Sequence, residues 1–172
     1  MTPVTHLEAP IGHNGPSNHA GPPVEVSVEP PTQQPTNNPS GTVPLRLQDG
    51  VPGLSAATSW NLTSPAQEPG DNPVFYLLSV EDDPDTALIL ADPWSFCGDY
   101  PPDLPDSELE ALGVTHVGEA MVMCSVTLDA DESCVFLNLL GPFVFHTSTG
   151  AGCQLVLSDQ DSPVRARVEI GT

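Results

Sequence analysis

The densest group of ionisable side chains in this sequence is a run of acids, Glu81, Asp82, Asp83 and Asp85, around a proline. Clustered carboxylates can bind calcium, but a calcium loop needs alternating oxygen ligands, a glycine at the sharp turn and a closing bidentate glutamate. Neither the glycine nor that glutamate stands at the required spacing here. The run therefore predicts a negatively charged turn in contact with water, and no metal site.

Acid–base and nucleophilic catalysis need arrangements that this sequence does not present. A glycoside hydrolase holds two carboxyl groups across a cleft and raises the pKa of one by burial, whereas the acids here fall in turns and on a helix surface. His116 follows the predicted helix, His146 lies within a predicted strand, and no serine or cysteine stands at a strand-to-helix elbow. No glycine-rich phosphate loop is present. We therefore expect a binding protein that has no enzymatic activity, metal or cofactor.

A second group of acids lies in a connector and in the helix that follows it: Asp99, Asp103, Asp106, Glu108 and Glu110. The last three also have a purely structural explanation, because an acid in the first turn of a helix is stabilised by the helix dipole by about 0.3–1 kcal/mol. A barrel could bring both groups of acids to one end as a single acidic rim. Together with the four acids of the turn, these five are the candidates for contact with a partner.

The whole sequence carries a large negative charge. Its 172 residues include 23 acids, three arginines and no lysine, which gives a formal net charge of −20. Such a charge repels nucleic acids and anionic membranes and attracts basic proteins. Two explanations stay open, since the same acidity also improves solubility or suits a salty cytoplasm. We expect a basic protein partner, with no direct binding to nucleic acid or to membranes.

Four cysteines are irregularly spaced and form no Cys-x-x-Cys pair. We predict that they are reduced, mostly buried, and bound to no metal. The N-terminus lacks the basic and apolar regions of a signal peptide, and the longest apolar run, residues 134–145, is interrupted by an asparagine, a glycine and a proline. We therefore expect a cytoplasmic protein without a membrane span.

Composition divides the chain near residue 41. Residues 1–41 contain nine prolines and few large apolar side chains, so they cannot bury enough surface to offset the entropy lost on ordering. From residue 42 onward, apolar residues recur in short runs. We predict a disordered, proline-rich tail over residues 1–41 and one β-barrel domain over residues 42–172.

Short apolar runs between turn residues predict a series of strands. They cover residues 43–48, 57–62, 74–80, 86–91, 120–128, 134–140, 143–147, 153–157 and 164–170. One short helix is predicted over residues 107–113, started by a capping box of Ser107 and Glu110 or by Asp106. Consecutive apolar residues, as at 135–137, indicate strands covered on both faces. The expected fold is all-β: a small antiparallel β-barrel of about seven to eight strands, paired in sequence order, with one short helix.

Six short motifs occur in order along residues 43–165. They are the 78–94 hairpin with its Asp-Asp-Pro-Asp turn, Asp49-Gly50-Val51-Pro52-Gly53-Leu54, Asp99-Tyr100, Leu104-Pro105-Asp106, Asn138-Leu139-Leu140-Gly141-Pro142 and Gln154-Leu155-Val156-Leu157. In this order, the motifs resemble the FliW family of flagellar assembly factors.

The resemblance implies a β-barrel that binds flagellin in the cytoplasm as a chaperone-like factor. It also implies allosteric antagonism of the RNA-binding translational regulator CsrA, so that flagellin synthesis follows filament export. The acidity agrees with such a partner, because an RNA-binding protein must be basic. We expect a monomer when no partner is bound. A second interpretation is an acidic structural interaction domain of an appendage or envelope assembly.

Overall fold

The computed structural model describes residues 41–65, 73–100, 102–129, 134–158 and 165–169. Residues 1–40 of the predicted tail lie outside the described residues, so the division into tail and domain stays a prediction. The described strands are β1 (Thr42–Leu47), β2 (Ser59–Thr63), β3 (Phe75–Val80), β4 (Ala87–Ala91), β5 (Ala120–Leu128), β6 (Cys134–Leu137), β7 (Phe143–His146), β8 (Ala151–Gln154) and β9 (Ala166–Glu169). The helix α1 (Asp106–Ala111) and two 3₁₀ turns, Pro93–Ser95 and Val117–Glu119, complete these elements. None of the helical segments in these ranges has the length and apolar character that a membrane crossing requires.

Seven strands form a closed barrel. Their order is β4-β3-β2-β1-β8-β7-β5, and the pairing of β4 with β5 completes the ring. The other two described strands extend the sheet from β5 in the order β5-β6-β9. Closure removes the unpaired strand edges that an open sheet of this size would leave. The predicted all-β barrel with one short helix is therefore confirmed.

Three pairings differ from the sequential antiparallel order that we predicted. β1 and β8 pair in parallel, with Leu47 opposite Gly152, β7 pairs with β5 rather than with β6, and β9 pairs with β6 rather than with β8. Both β6 and β7 can pair with β5 because β5 has nine residues. Residues 120–123 pair with β7, and residues 126–128 pair with β6 along the same strand. β5 thus links the barrel to the β6–β9 extension.

Alternate side chains of the strands fill the barrel interior. On β3, for example, Leu78 and Val80 are buried while their neighbours are exposed or half-buried, which is the two-residue period of a strand. Trp60 is almost completely buried, and its indole N–H donates a 2.7 Å hydrogen bond to the Ala57 carbonyl. The interior cluster consists of Leu45, Leu47, Val51, Trp60, Leu62, Leu78, Val80, Leu90, Met121, Met123, Phe143 and Phe145.

Two further apolar clusters cover parts of the outer barrel wall. In one, Leu104 and Leu112, from either side of α1, pack with Val122 and Val144. In the other, Tyr100 packs with residues of β4, β5 and β6, and its hydroxyl donates a 2.6 Å hydrogen bond to the Leu139 carbonyl. All four residues of β7 are buried as a result. These clusters confirm coverage on both faces for β7 and the first half of β5, whereas Phe136, in the run 135–137 that suggested it, is half-buried.

The predicted capping box at the start of α1 is wrong. The extended backbone of Pro105 provides the N-cap without a side-chain hydrogen bond, so Asp106 and Ser107 already stand inside the helix. A reciprocal capping box occurs instead at His116 and Glu119. The Glu119 carboxylate accepts hydrogen bonds from the backbone N–H groups of Thr115 (2.9 Å) and His116 (3.1 Å). These bonds, chiefly the one from Thr115, lower the pKa of Glu119.

Candidate interaction surfaces

The acidic run lies at the tip of the β3–β4 hairpin. All four carboxylates, which we name the hairpin tip, are exposed: Glu81, Asp82, Asp83 and Asp85. Asp83 also stabilises the turn, because its carboxylate accepts a 2.7 Å hydrogen bond from the Thr86 hydroxyl and its carbonyl accepts a 3.0 Å bond from the Thr86 N–H. The hairpin tip therefore concentrates negative charge in solvent, and Asp83 has a structural role as well.

The strand register separates the hairpin tip from the second group of acids. The tip joins the end of β3 to the start of β4, whereas the connector leaves from the opposite end of β4, about 17 Å away for a strand of five residues. The connector then places α1 against the outer wall of β5 and β7, where Leu109 and Leu112 pack with Val122. The acids thus form two separate surfaces and not the single rim we considered. Whether either surface contacts a partner stays a prediction.

The acids of the connector and helix have different surroundings. All five are exposed: Asp99, Asp103, Asp106, Glu108 and Glu110. Asp106 and Glu110, four residues apart, line a groove beside α1. Glu108 does not line this groove and lies close enough to Cys153 for its charge to act on that thiol. The three acids of α1 are therefore divided between two faces of the helix.

The groove, with a volume of about 500 Å³, lies between α1 and the turn Val117–Glu119. Five apolar residues line it: Leu104, Leu109, Val114, Val117 and Ala120. Its polar lining consists of Asp106, Glu110, Thr115 and His116. No local pattern in the sequence predicts this groove, because its walls come from the connector, the helix and the start of β5.

An apolar strip borders the hairpin tip on the outer face of the barrel. Leu77, Ile89 and Val126 stand opposite one another on β3, β4 and β5. Leu77 is 45% exposed, Ile89 is half-buried and Val126 is buried. Leu128, further along the same face of β5, is 56% exposed. Contiguous exposed apolar surface can mark an interaction site, whereas single exposed aliphatic side chains are normal on a protein surface.

Among the described residues, the three arginines form no ion pair with the hairpin tip, although Arg46 stands opposite Ser59, whose carbonyl accepts a 3.0 Å hydrogen bond from the Glu81 N–H. Arg46 is on β1, the guanidinium of Arg165 lies 4.2 Å from the centre of the Phe136 ring, and Arg167 forms a 3.1 Å ion pair with Glu169. In the part of the chain that the structure describes, no arginine pairs with the hairpin tip or lines the groove. The hairpin tip therefore has no direct ion-pair partner among these arginines.

The four cysteines, Cys97, Cys124, Cys134 and Cys153, are free thiols, as predicted. Burial raises the pKa of Cys124 to about 12, so this thiol is protonated near neutral pH and is a poor nucleophile. Within the described ranges, no group of three or more His, Cys, Asp or Glu residues is arranged to hold a metal ion. The expected lack of a cofactor and of catalysis stays a prediction.

Comparisons with known proteins agree with this architecture. The family model described as FliW protein matches residues 33–168. A flagellar assembly factor FliW from Caldicellulosiruptor saccharolyticus is 27% identical over 119 residues, which cover 69% of this chain and 75% of the relative. A flagellar assembly factor FliW 2 from Desulfotalea psychrophila is 32% identical over 113 residues, which cover 66% of this chain and 72% of the relative.

A solved structure supports the fold independently. The crystal structure of a flagellar assembly factor FliW aligns with a TM-score of 0.65 at 20% identity, covering 84% of this chain and 98% of the other. The family assignment itself rests on the sequence match, which spans well over half of the 172 residues. The chain therefore belongs to the FliW family of flagellar assembly factors.

Proposed function

We propose that this protein binds flagellin in the cytoplasm and antagonises the RNA-binding regulator CsrA, and so couples flagellin synthesis to filament export. Membership of the FliW family supports the flagellar role. Because we expect no catalytic arrangement, we interpret the protein as a binding module. It acts by exchanging between partners, and its effect on translation comes from holding CsrA and not from contact with RNA.

The hairpin tip is the observation that carries this proposal. Four exposed carboxylates occupy one turn, and within the described residues no arginine forms an ion pair with them. A protein that binds RNA needs a basic surface, so its encounter with the hairpin tip is electrostatically favourable. Complementary charge of this kind mainly accelerates association and selects among partners. The tip therefore suits the capture of CsrA.

A structural interaction domain of an appendage or envelope assembly is the second candidate function. The apolar strip favours it, because Leu77 and Leu128 expose aliphatic surface that a permanent partner would cover. A permanent subunit stays in one assembly, whereas a regulator moves between soluble complexes. The two functions thus differ in how the partners change with the state of the flagellum.

Co-purification from cells in two flagellar states separates these functions. In cells that export no filament but make flagellin, we expect the tagged full chain to be recovered with flagellin. In cells that lack flagellin, we expect it with CsrA. Recovery in the same large assembly from both cell types would favour the structural role, and recovery without flagellin or CsrA would contradict the proposal.

The apolar strip provides a control for this experiment. The double substitution Leu77→Ser and Leu128→Ser removes two exposed aliphatic side chains without changing the charge of the hairpin tip. It should release the protein from a permanent assembly. If the regulator function is correct, CsrA should still be recovered with this variant.

A further inference from the structure

The groove beside α1 has no role in the electrostatic attraction that we propose for the hairpin tip. It lies on another part of the barrel, and most of its lining is apolar. Its volume of about 500 Å³ falls in the range of pockets that bind ligands or side chains of a partner. A concave apolar site with a few polar groups at its edge is therefore present outside the surface already described.

We propose that this groove binds one face of an amphipathic helix carried by a basic partner protein. The apolar side chains of that helix would lie against Leu109, Val114 and Val117, which line the groove. This mode of recognition uses an apolar helix face in a hydrophobic groove, with anchor residues spaced three or four apart. The groove supplies the apolar contact, which gives affinity.

Charge at the edge of the groove specifies the polar side of the partner helix. Asp106 and Glu110 both line it and, being four residues apart on α1, are offset by about 6 Å along the helix axis. Basic residues four apart on an adjacent helix have the same offset, so two ion pairs can form side by side. An acidic helix would be repelled by the same two carboxylates and by the net charge of −20.

Glu108 offers a matched control on the same helix. It carries the same charge as Glu110 and is exposed like it, but it does not line the groove. Glu108→Lys and Glu110→Lys therefore change the net charge of the protein equally. Only Glu110→Lys places a repulsive charge beside the bound helix.

The test measures binding of a fluorescent amphipathic peptide of leucine and lysine, about 18 residues or five helical turns long, to the folded full chain. We expect Glu110→Lys to weaken binding by about fivefold or more and Glu108→Lys by about twofold or less. Equal weakening by both substitutions would overturn the proposal, because it would show attraction by net charge alone. Absence of binding to the unchanged protein would overturn it as well.

A second pair of variants tests the apolar contact. Val117→Ser makes the groove lining more polar, and Val156→Ser makes the same change at a residue that is 80% exposed and outside the groove. We expect Val117→Ser to weaken peptide binding by about threefold or more while Val156→Ser has little effect. Equal affinities of the two variants for the peptide would contradict docking in the groove. Tighter binding of the unchanged protein to anionic vesicles than to the peptide would contradict it as well.

The groove proposal rests on the proposed function only for the identity of the partner. Binding of flagellin and binding of CsrA are therefore measured in separate experiments. If both proteins bind the unchanged chain but neither distinguishes Glu110→Lys from Glu108→Lys, the groove proposal fails and the proposed function stands. If the peptide distinguishes the variants while neither protein binds, the proposed function fails and the groove stands.

Discussion

Cys153 on β8 lies close to acids from two segments that are distant in the sequence, Glu108 on α1 and Asp49 after β1. Burial raises the pKa of its thiol to about 11, and the negative charges of Glu108 on α1 and of Asp49 after β1 contribute to the rise. A nearby carboxylate disfavours the thiolate because like charges repel. The reactivity of this half-buried thiol therefore depends on which face of α1 is turned toward it.

We expect Glu108→Gln to accelerate alkylation of Cys153. Removing the negative charge lowers the pKa of the thiol toward its ordinary value, which increases the thiolate fraction and raises the rate at about pH 9 by roughly two- to fivefold. Mass spectrometry after brief treatment with iodoacetamide gives the rate at this cysteine. Glu110→Gln is the control and should leave the rate unchanged. Equal rates in both variants would show that Glu108 does not face Cys153.

At the residue level, the sequence predicts which side chains are charged but not what they contact. The exposure of the hairpin tip follows from the Asp-Asp-Pro-Asp turn. The hydrogen bond between Asp83 and Thr86 and the capping role of Glu119 do not, because both depend on where a turn begins. The different surroundings of Glu108 and Glu110 require knowledge of what packs against the helix.

Among the secondary-structure elements, β8 connects the β1–β4 part of the barrel to β7 and β5, because it pairs with β1 on one side and with β7 on the other. Gly152 stands opposite Leu47 on one side and Phe145 on the other. A Cβ atom at this position would press on the Phe145 ring and lie 2.9 Å from the Val144 carbonyl oxygen. The missing side chain therefore lets the aromatic ring occupy the barrel interior.

We expect Gly152→Ala to destabilise the protein. Overpacking in a core of this kind costs about 1–3 kcal/mol, which urea denaturation of the full chain can measure. Gly98→Ala is the matched control, because no atom lies within 4 Å of its Cβ position, and its effect should stay within about 0.5 kcal/mol. A stability change no larger than that of the control would mean that the contact between Gly152 and Phe145 does not constrain closure.

Element types were more predictable than element partners. Short apolar runs between turn residues correctly predicted most strands, although β8 covers Ala151–Gln154 and not the predicted residues 153–157. The helix lies before β5, as predicted. The pairings of β7 with β5 and of β9 with β6 and the parallel pairing of β1 with β8 were missed. These pairings join distant residues, and nothing in the local pattern specifies the partner of a strand or its direction.

For the whole molecule, the distribution of charge matters more than its sum. The formal charge of −20 is evident from the sequence, but its division between the hairpin tip and the face of α1 follows only from the closed strand order. Two separated acidic surfaces allow one to accelerate an encounter while the other contributes to a groove. We therefore assign the proposed capture of a basic regulator to the hairpin tip.

The most direct test of this assignment is the association rate of CsrA with the full chain carrying Asp82→Lys and Asp85→Lys. These two acids are chosen because Asp83 helps to hold the turn. The control carries Asp99→Lys and Glu108→Lys, so that both variants change the net charge equally. Stopped-flow measurements at 0.1 M and 1 M salt compare screening lengths of about 10 Å and about 3 Å.

If the hairpin tip captures CsrA, association with the unchanged protein should slow by roughly tenfold or more between the two salt concentrations, while dissociation changes less. At 0.1 M salt the tip variant should associate roughly fivefold more slowly than the control variant. Equal association rates for the two folded variants at 0.1 M salt would contradict capture by the hairpin tip.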